Sequence, residues 1–426
     1  MMKKKLARLG KTVLWLALAM TAAGGGTALA VDYEVGSSSY FFFSKDRNVN
    51  SANNFYLPLY EYLNVDVSNL GSPSISIHAS GWGRADFTSR GAGDRGDGEF
   101  LYGYFQWKDQ NSPRRVLRVG RQFIFGGPSS LRSQYVDGLY FKSDLVKGFG
   151  VEILGGSPVT SAIGGRGGDV VAQGRAYYVR DDKVEIGVGY LHTLDSNQRA
   201  REDFGLDFWF KPIQEVEVFG NLIYDTLGEE VADANLTTVA FPIEKLKLTA
   251  NFGYAVPSNL LPHTSFFSIF SDSAYVNAGL AGTYFVTDRL TLDADAQFFH
   301  YSTGGNLVRY GGQGTYQYGA DKQGRVALAA HRLDQLEGGV MEFRTFASYA
   351  FKNKLSVSGD LYGYLLDQAN RGRDFSFTGI GNVGYEVIKN LNLTGSASYG
   401  VNPFFGNDTR GLLKVVYTFG GSTSGS

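Results

Sequence analysis

The sequence predicts an all-β chain, a transmembrane antiparallel up-and-down β-barrel of about 22 strands (20–22) with no plug domain. Three observations predict it. Long runs alternate apolar and polar residues. Tight turns and looser links alternate between those runs. No run of about 18 apolar residues offers a helical span.

Composition narrows the class first. The chain has 426 residues, 43% hydrophobic and 19% charged, with net charge −1, so neither disorder nor nucleic-acid binding is expected. Cysteine is absent, which excludes Cys-based zinc sites, iron–sulfur clusters, a lipoprotein anchor and haem attached through C-x-x-C-H.

Residues 1–30 read as an export signal. Lys3, Lys4, Lys5, Arg8 and Lys11 precede the apolar "VLWLALAMTAA" (13–23), which is too short to span a bilayer. Ala28 and Ala30 supply small residues at the cleavage positions, so the mature chain is expected to start at Val31.

The strands follow. "LTLDADAQF" (290–298) puts Leu290, Leu292, Ala294, Ala296 and Phe298 on one face, with Thr291, Asp293, Asp295 and Gln297 on the other. "KLKLTANFGYAV" (245–256), "LSVSGDLYGYL" (355–365) and "LNLTGSASYGV" (391–401) repeat the pattern, and 183–191 and 215–224 follow it more loosely. Runs of about 9–13 residues exceed a soluble strand of about 5–6 and match a tilted membrane strand. The joints "FPIEKLKL" (241–248), "FVTDRLTL" (285–292), "FKNKLSV" (351–357) and "VIKNLNL" (387–393) share one design, in which a strand ends on Phe or Val, a short turn follows, and Leu opens the next. Gly/Asn/Asp-rich links such as 89–98, 161–169 and 401–411 lie between them, as at the opposite rim of a barrel. Alternating the two gives a first strand near 32–43, a last near 409–419, and tight turns near 70, 111, 145, 181, 213, 243, 287, 321, 353 and 389. The stretch 320–340 yields only a short strand.

So many long strands in simple order have no second sheet to cover them. Closure removes the edges and pairs every backbone group, as lipid demands. The barrel domain is then 31–419. Trp107, Trp209, Phe210, Phe241, Phe285, Tyr349 and Phe351 are expected in interfacial belts beside the tight turns.

"LLKVVYTF" (412–419), with Leu413, Val415, Tyr417 and Phe419 in alternation, resembles the terminal strand of Gram-negative outer-membrane barrels. The resemblance to porin-like barrels covers about residues 31–419. It implies the bacterial outer membrane, its lipid and the barrel assembly machinery as partners. This chain departs from the pattern in "GGSTSGS" (420–426), read as a polar tail.

Parity gives the inward candidates: Tyr102, Tyr104, Gln106, Arg118, Arg175, Glu185, Glu217, Lys247, Asn251, Asp293, Asp295, Gln297, Asp360, Glu386 and Asn392. They form either a selectivity surface or simply the hydrated lining of a lumen. "RRVLRVGRQF" (114–123) is the densest basic strand, although Arg121 has outward parity. Catalysis is not expected. The five histidines are scattered, and no nucleophile motif is present. "DRGDG" (94–98) holds an adhesion-like tripeptide and a calcium-loop fragment without its acidic ligand, so an enzyme or adhesin is the remotest reading.

A wide barrel without a plug would leak. The longest outer link, about 257–273, is expected not to fold inward. A large plugless barrel resembles the porin component of porin–cytochrome conduits in metal-respiring bacteria, although the C-x-x-C of some related barrels is missing. That resemblance implies a sheath around periplasmic and cell-surface multihaem c-type cytochromes, with haem held only by those partners and no cofactor or metal bound by this chain. The alternative is a diffusion or substrate-specific porin for small hydrophilic solutes.

Overall fold

A computed structural model describes residues 31–48, 53–87, 96–112, 114–126, 131–159, 168–181, 183–260, 273–335, 338–403 and 405–423. The export-signal reading, with Ala28 and Ala30, lies outside the described residues. Val31 is the first residue of the first strand.

The strands run β1 Val31–Asn48, β2 Asn53–Tyr56, β3 Pro58–Ser68, β4 Ile75–Asp86, β5 Gly96–Lys108, β6 Val116–Gly126, β7 Leu131–Val146 and β8 Phe149–Pro158. Next come β9 Val170–Arg180, β10 Val184–Asp195, β11 Gln198–Ile213, β12 Val216–Asp225, β13 Glu230–Ile243, β14 Leu246–Ala255, β15 Tyr275–Phe285 and β16 Leu290–Tyr301. The wall ends with β17 Gly305–Tyr318, β18 Gly324–Gln335, β19 Gly338–Ala350, β20 Leu355–Asn370, β21 Arg373–Ile388, β22 Leu391–Val401 and β23 Phe405–Thr423.

Each strand pairs antiparallel with its chain neighbours. β2 and β3 both lie against β1 and form one stave broken at Leu57, where Pro58 has no N–H to give the ladder. The 23 segments therefore make 22 staves. β23 closes on β1 along its whole length, from Val31 opposite Thr423 to Asn48 opposite Phe405. The fold is a closed up-and-down barrel. Among the described residues no helix is long and apolar enough to cross a membrane.

Each of the ten expected tight turns lies within about two residues of a break between strands. Three other expectations need correction. Residues 420–423 are not tail, because β23 continues through Phe419 and Gly420 pairs with Glu34. The stretch 320–340 holds a full 12-residue strand, β18, and the start of β19. Its period is hard to see because small apolar residues, Ala327 and Ala329, share a face with His331, while Arg332 interrupts the other. The loose rim is also less loose than expected, since Ser196–Asn197 and Arg371–Gly372 close two-residue hairpins there with positive φ throughout. Of the longest link, the start lies among the described residues. Pro257–Leu260 forms a 3₁₀ turn, and Asn259 donates to the Glu230 carboxylate at 2.6 Å. Residues 261–272 of that link lie outside the described residues.

One departure from a plain cylinder follows from glycine. Cα atoms of β7 and β10 approach within 8 Å, although β8 and β9 lie between them. Three flat intervals of about 4.8 Å would hold them nearly twice as far apart, so the wall is creased. Gly138 and Gly156 are direct partners on the concave side. A Cβ on Gly138 would sit 2.1 Å from the Gly155 carbonyl oxygen, and one on Gly156 2.4 Å from that of Asp137. Only glycine permits so close a fold. Inside it, Ile124, Val136, Tyr140, Leu154, Val171 and Leu191 form a small buried cluster.

Candidate functional site: the inner wall

Direct partners in an antiparallel ladder point to the same face, so an assignment on one strand propagates around the barrel. On β16, Leu292, Ala294, Ala296 and Phe298 are exposed, while Asp293, Asp295 and Gln297 are half-buried. Exposure marks the convex side and partial burial the concave one. The apolar row continues through Leu280 and Tyr284 on β15, Val308 and Tyr310 on β17, Leu361 and Leu365 on β20, and Leu413 and Tyr417 on β23, all exposed. A belt of large apolar side chains on the outside of a closed sheet belongs in lipid. Val415 and Phe419 lie in that row with Leu413 and Tyr417.

The concave face holds two charged regions. The first spans β16–β20. Asp295 accepts from Arg309 at 2.9 Å and meets His331 Nε2 at 2.8 Å, and Arg309 also faces Glu342 at 3.5 Å. Asp293 accepts from Thr283 at 2.7 Å. Arg344 forms a two-point bridge to Asp360, at 2.6 and 3.0 Å, and lies over the Tyr362 ring. Asp293, Asp295, Arg309, His331, Glu342 and Arg344, with Tyr362 and Tyr364, line a cavity of about 390 Å³.

The second region lies in the crease. Arg175 has no exposed side-chain surface and makes two bonds to Asp207, itself fully buried, at 2.5 and 3.0 Å. It also reaches Glu152 at 3.2 Å and Glu185 at 3.0 Å. Lys142 meets Glu152 at 2.6 Å, and the Tyr177 ring lies 5.1 Å from both the Arg175 guanidinium carbon and the Lys142 ammonium. Three carboxylates around two cations leave little free field, which suits a brace better than a ligand site.

The fifteen inward candidates singled out from sequence all lie on the polar face, but at scattered places. Arg118 donates to Gln106 at 2.8 Å, between the Tyr104 and Tyr140 rings. Glu217 accepts from Trp209 Nε1. Lys247 stands opposite Thr283, and Gln297 between Gly279 and Arg309. Glu386 meets Lys354 at 2.9 Å beside a tight turn. The structure brings Asp293 and Asp295 into one cavity and Arg175 and Glu185 into one cluster. Asp360 reaches the cavity through Arg344. Arg121 is on the apolar face, bridged to Asp137 at 2.7 Å.

The aromatic expectation divides. Trp107, Phe210 and Tyr349 lie on the apolar face. Trp209 points to the polar face, because consecutive strand residues cannot share a side, and Phe285 does so opposite Thr291. Among the described residues, no group of three or more His, Asp or Glu side chains is placed to hold a metal.

No family model matches the chain, and no curated protein matches it. Solved structures do. The P pilus usher (PapC) translocation pore aligns with TM-score 0.51 at 11% identity over 92% of this chain and 99% of that one. A chain of the E. coli P pilus tip assembly intermediate PapC-PapD-PapK-PapG aligns with TM-score 0.57 at 12% identity over 94% of this chain and 62% of that one. Pseudomonas aeruginosa OccK3 aligns with TM-score 0.45 at 11% identity over 92% and 96%. At these identities the likeness is one of fold.

Proposed function

We propose that this chain is a channel of the bacterial outer membrane that passes small hydrophilic solutes. One observation carries the reading: a closed barrel whose outside is an apolar belt and whose inside is a polar, charge-paired wall narrowed by its own crease. The export-signal pattern and the alternation of Leu413, Val415, Tyr417 and Phe419 in β23 support the location, with lipid and the assembly machinery as partners. In this reading the chain catalyses no reaction and binds no cofactor of its own. The similar usher is a translocation pore, which supports passage through such a barrel.

The test is conductance. The mature protein, refolded alone into a planar bilayer, gives stepwise ionic currents. A protein that is folded, as judged by its heat-modifiable mobility, yet gives no current would sink the reading.

A second reading is the sheath around multihaem c-type cytochromes. The bore of 22 staves favours it, because 22-stranded transporters enclose a lumen wide enough for a plug. The crease counts against it by filling part of that bore with the chain's own side chains. Haem absorbance in the purified complex, and loss of extracellular iron reduction on deletion of the gene, would support it.

A further inference from the structure

We infer that the inner wall from β1 to β7 carries a binding track for a neutral saccharide chain, an assignment that rests on the channel reading above. Aromatic side chains of a membrane barrel belong on its outer interfacial girdles. Here a connected set lies on the concave side. Tyr60 is opposite Tyr40, Tyr62 opposite Trp82, and Tyr104 opposite His78, all on the polar face. Ring centroids stand 5.6 Å apart for Tyr40 and Tyr62, 6.5 Å for Tyr62 and Trp82, and 5.0 Å for His78 and Tyr104. Each of these rings is only half-buried, so part of its surface faces the lumen.

Rings alternate with hydrogen-bonding groups, because residues two apart on a strand share a face. Asn64 and Asp66 follow Tyr62, Ser80 precedes Trp82, and Gln106 follows Tyr104. Ser80 donates to Asn64 at 2.5 Å, and Asp66 meets His78. A pyranose needs this pairing, an apolar C–H face to lie on a ring and hydroxyls around its edge to bond. The rings step from stave to stave at about 4.8 Å, comparable with the length of one pyranose unit. Their planes are tilted by 32° to 82° in the Tyr40–Tyr62–Trp82 arm, which follows a twisting chain rather than a flat ligand.

Charge favours a neutral ligand. The Arg118 guanidinium carbon is 5.3 Å from the Tyr104 ring and 5.7 Å from that of Tyr140, and the Lys414 ammonium is 5.2 Å from that of Tyr40. Both cations are thus directed at ring faces. Asp66 is in hydrogen-bond contact with His78, Arg84, opposite Tyr60, stands opposite Asp97 in turn, and Glu99 stands opposite Trp82. The track thus offers stacking and hydrogen bonds beside charges of both signs.

The experiment uses the full mature barrel, with a linear glucose hexasaccharide as probe and benzoate and a polyethylene glycol of similar size as comparators. The saccharide is expected to interrupt the single-channel current more strongly than either comparator. Trp82→Ala, Tyr62→Ala and Tyr104→Ala are each expected to raise the half-blocking concentration by about tenfold, and Trp82→Tyr to keep most of the effect. Tryptophan fluorescence in detergent reads binding without current, so a folded barrel that binds saccharide but does not conduct sinks the channel reading alone. A conducting barrel blocked no better by saccharide than by the glycol overturns the track. So does block by benzoate alone, or unchanged block in folded ring variants.

Discussion

Arg175 and Asp207 face each other across a fully buried two-point ion pair, on β9 and β11, with β10 between them. Skipping a stave is possible because Gly187 lies between: a Cβ there would meet the Arg175 side chain at 2.3 Å. Through Glu152 on β8 and Lys142 on β7 the cluster reaches the other side of the crease.

Removing one partner is therefore costly. Arg175→Ala leaves Asp207, Glu152 and Glu185 close together in a dry corner, and stability is expected to fall by about 3–5 kcal/mol. The double variant Arg175→Met, Asp207→Leu should recover most of that loss, since well-packed apolar residues can replace a buried pair. Urea unfolding of the barrel in lipid vesicles measures both. Equal midpoints for the native protein and Arg175→Ala would mean that the cluster braces nothing.

The crease itself is testable at Gly138. Its substitution by Ala puts a methyl group against the Gly155 carbonyl. The expected cost is about 1–3 kcal/mol of stability, as for other overpacked sites. The crease should also open, with a higher single-channel conductance. Unchanged stability and conductance together would count against a wall held in by glycine.

Face assignment makes its own prediction. Leu280→Arg places a charge in the apolar belt near the middle of β15 and is expected to cost about 2–4 kcal/mol, whereas Gln297→Arg, on the polar side of the adjoining strand, should cost far less. Unfolding midpoints of the two variants, compared in the same lipid, decide it. The reverse order would exchange the inside and the outside of the barrel.

Asp295 pairs with Arg309 and is in hydrogen-bond reach of His331 Nε2 on the far wall. Asp295→Asn leaves Arg309 with Glu342 as its carboxylate partner and is expected to move ion selectivity toward anions. The shift in reversal potential across a salt gradient should be larger near 0.1 M than near 1 M salt, because the screening length falls from about 10 Å to about 3 Å. No shift at low salt would remove this region from the conduction path.

Much of the barrel was legible because lipid imposes a strict period of two. Asp293 and Asp295 could be placed from nine residues, and four tight turns, near 243, 287, 353 and 389, shared the design in which a Phe or Val gives way to Leu. Residues read by type rather than by parity fared worse. Trp209 was given to the outer belt, although its neighbour Phe210 already occupied that side. Glu152, Asp207, Arg309, His331, Glu342 and Arg344 were passed over, because their strands carry glycines and small residues that blur the alternation. Counting parity outward from Arg175 or Asp295 would have reached them. The crease was hidden for a different reason. Gly138 and Gly156 announce permissiveness, and only the pairing of β7 with β8 shows them stacked on one side of a fold.

Val31 and Thr423 occupy one rung of the ladder that closes the barrel. The first and last rungs of the wall are thus neighbours, about one strand spacing apart. A linker of a few residues could fuse them into a ring, and new ends could be cut at the two-residue hairpin Ser196–Asn197 with the strand pairings retained. In such a circular permutant Phe419 no longer lies on the terminal strand, so insertion by living cells and refolding in the test tube would become separable properties of the same architecture.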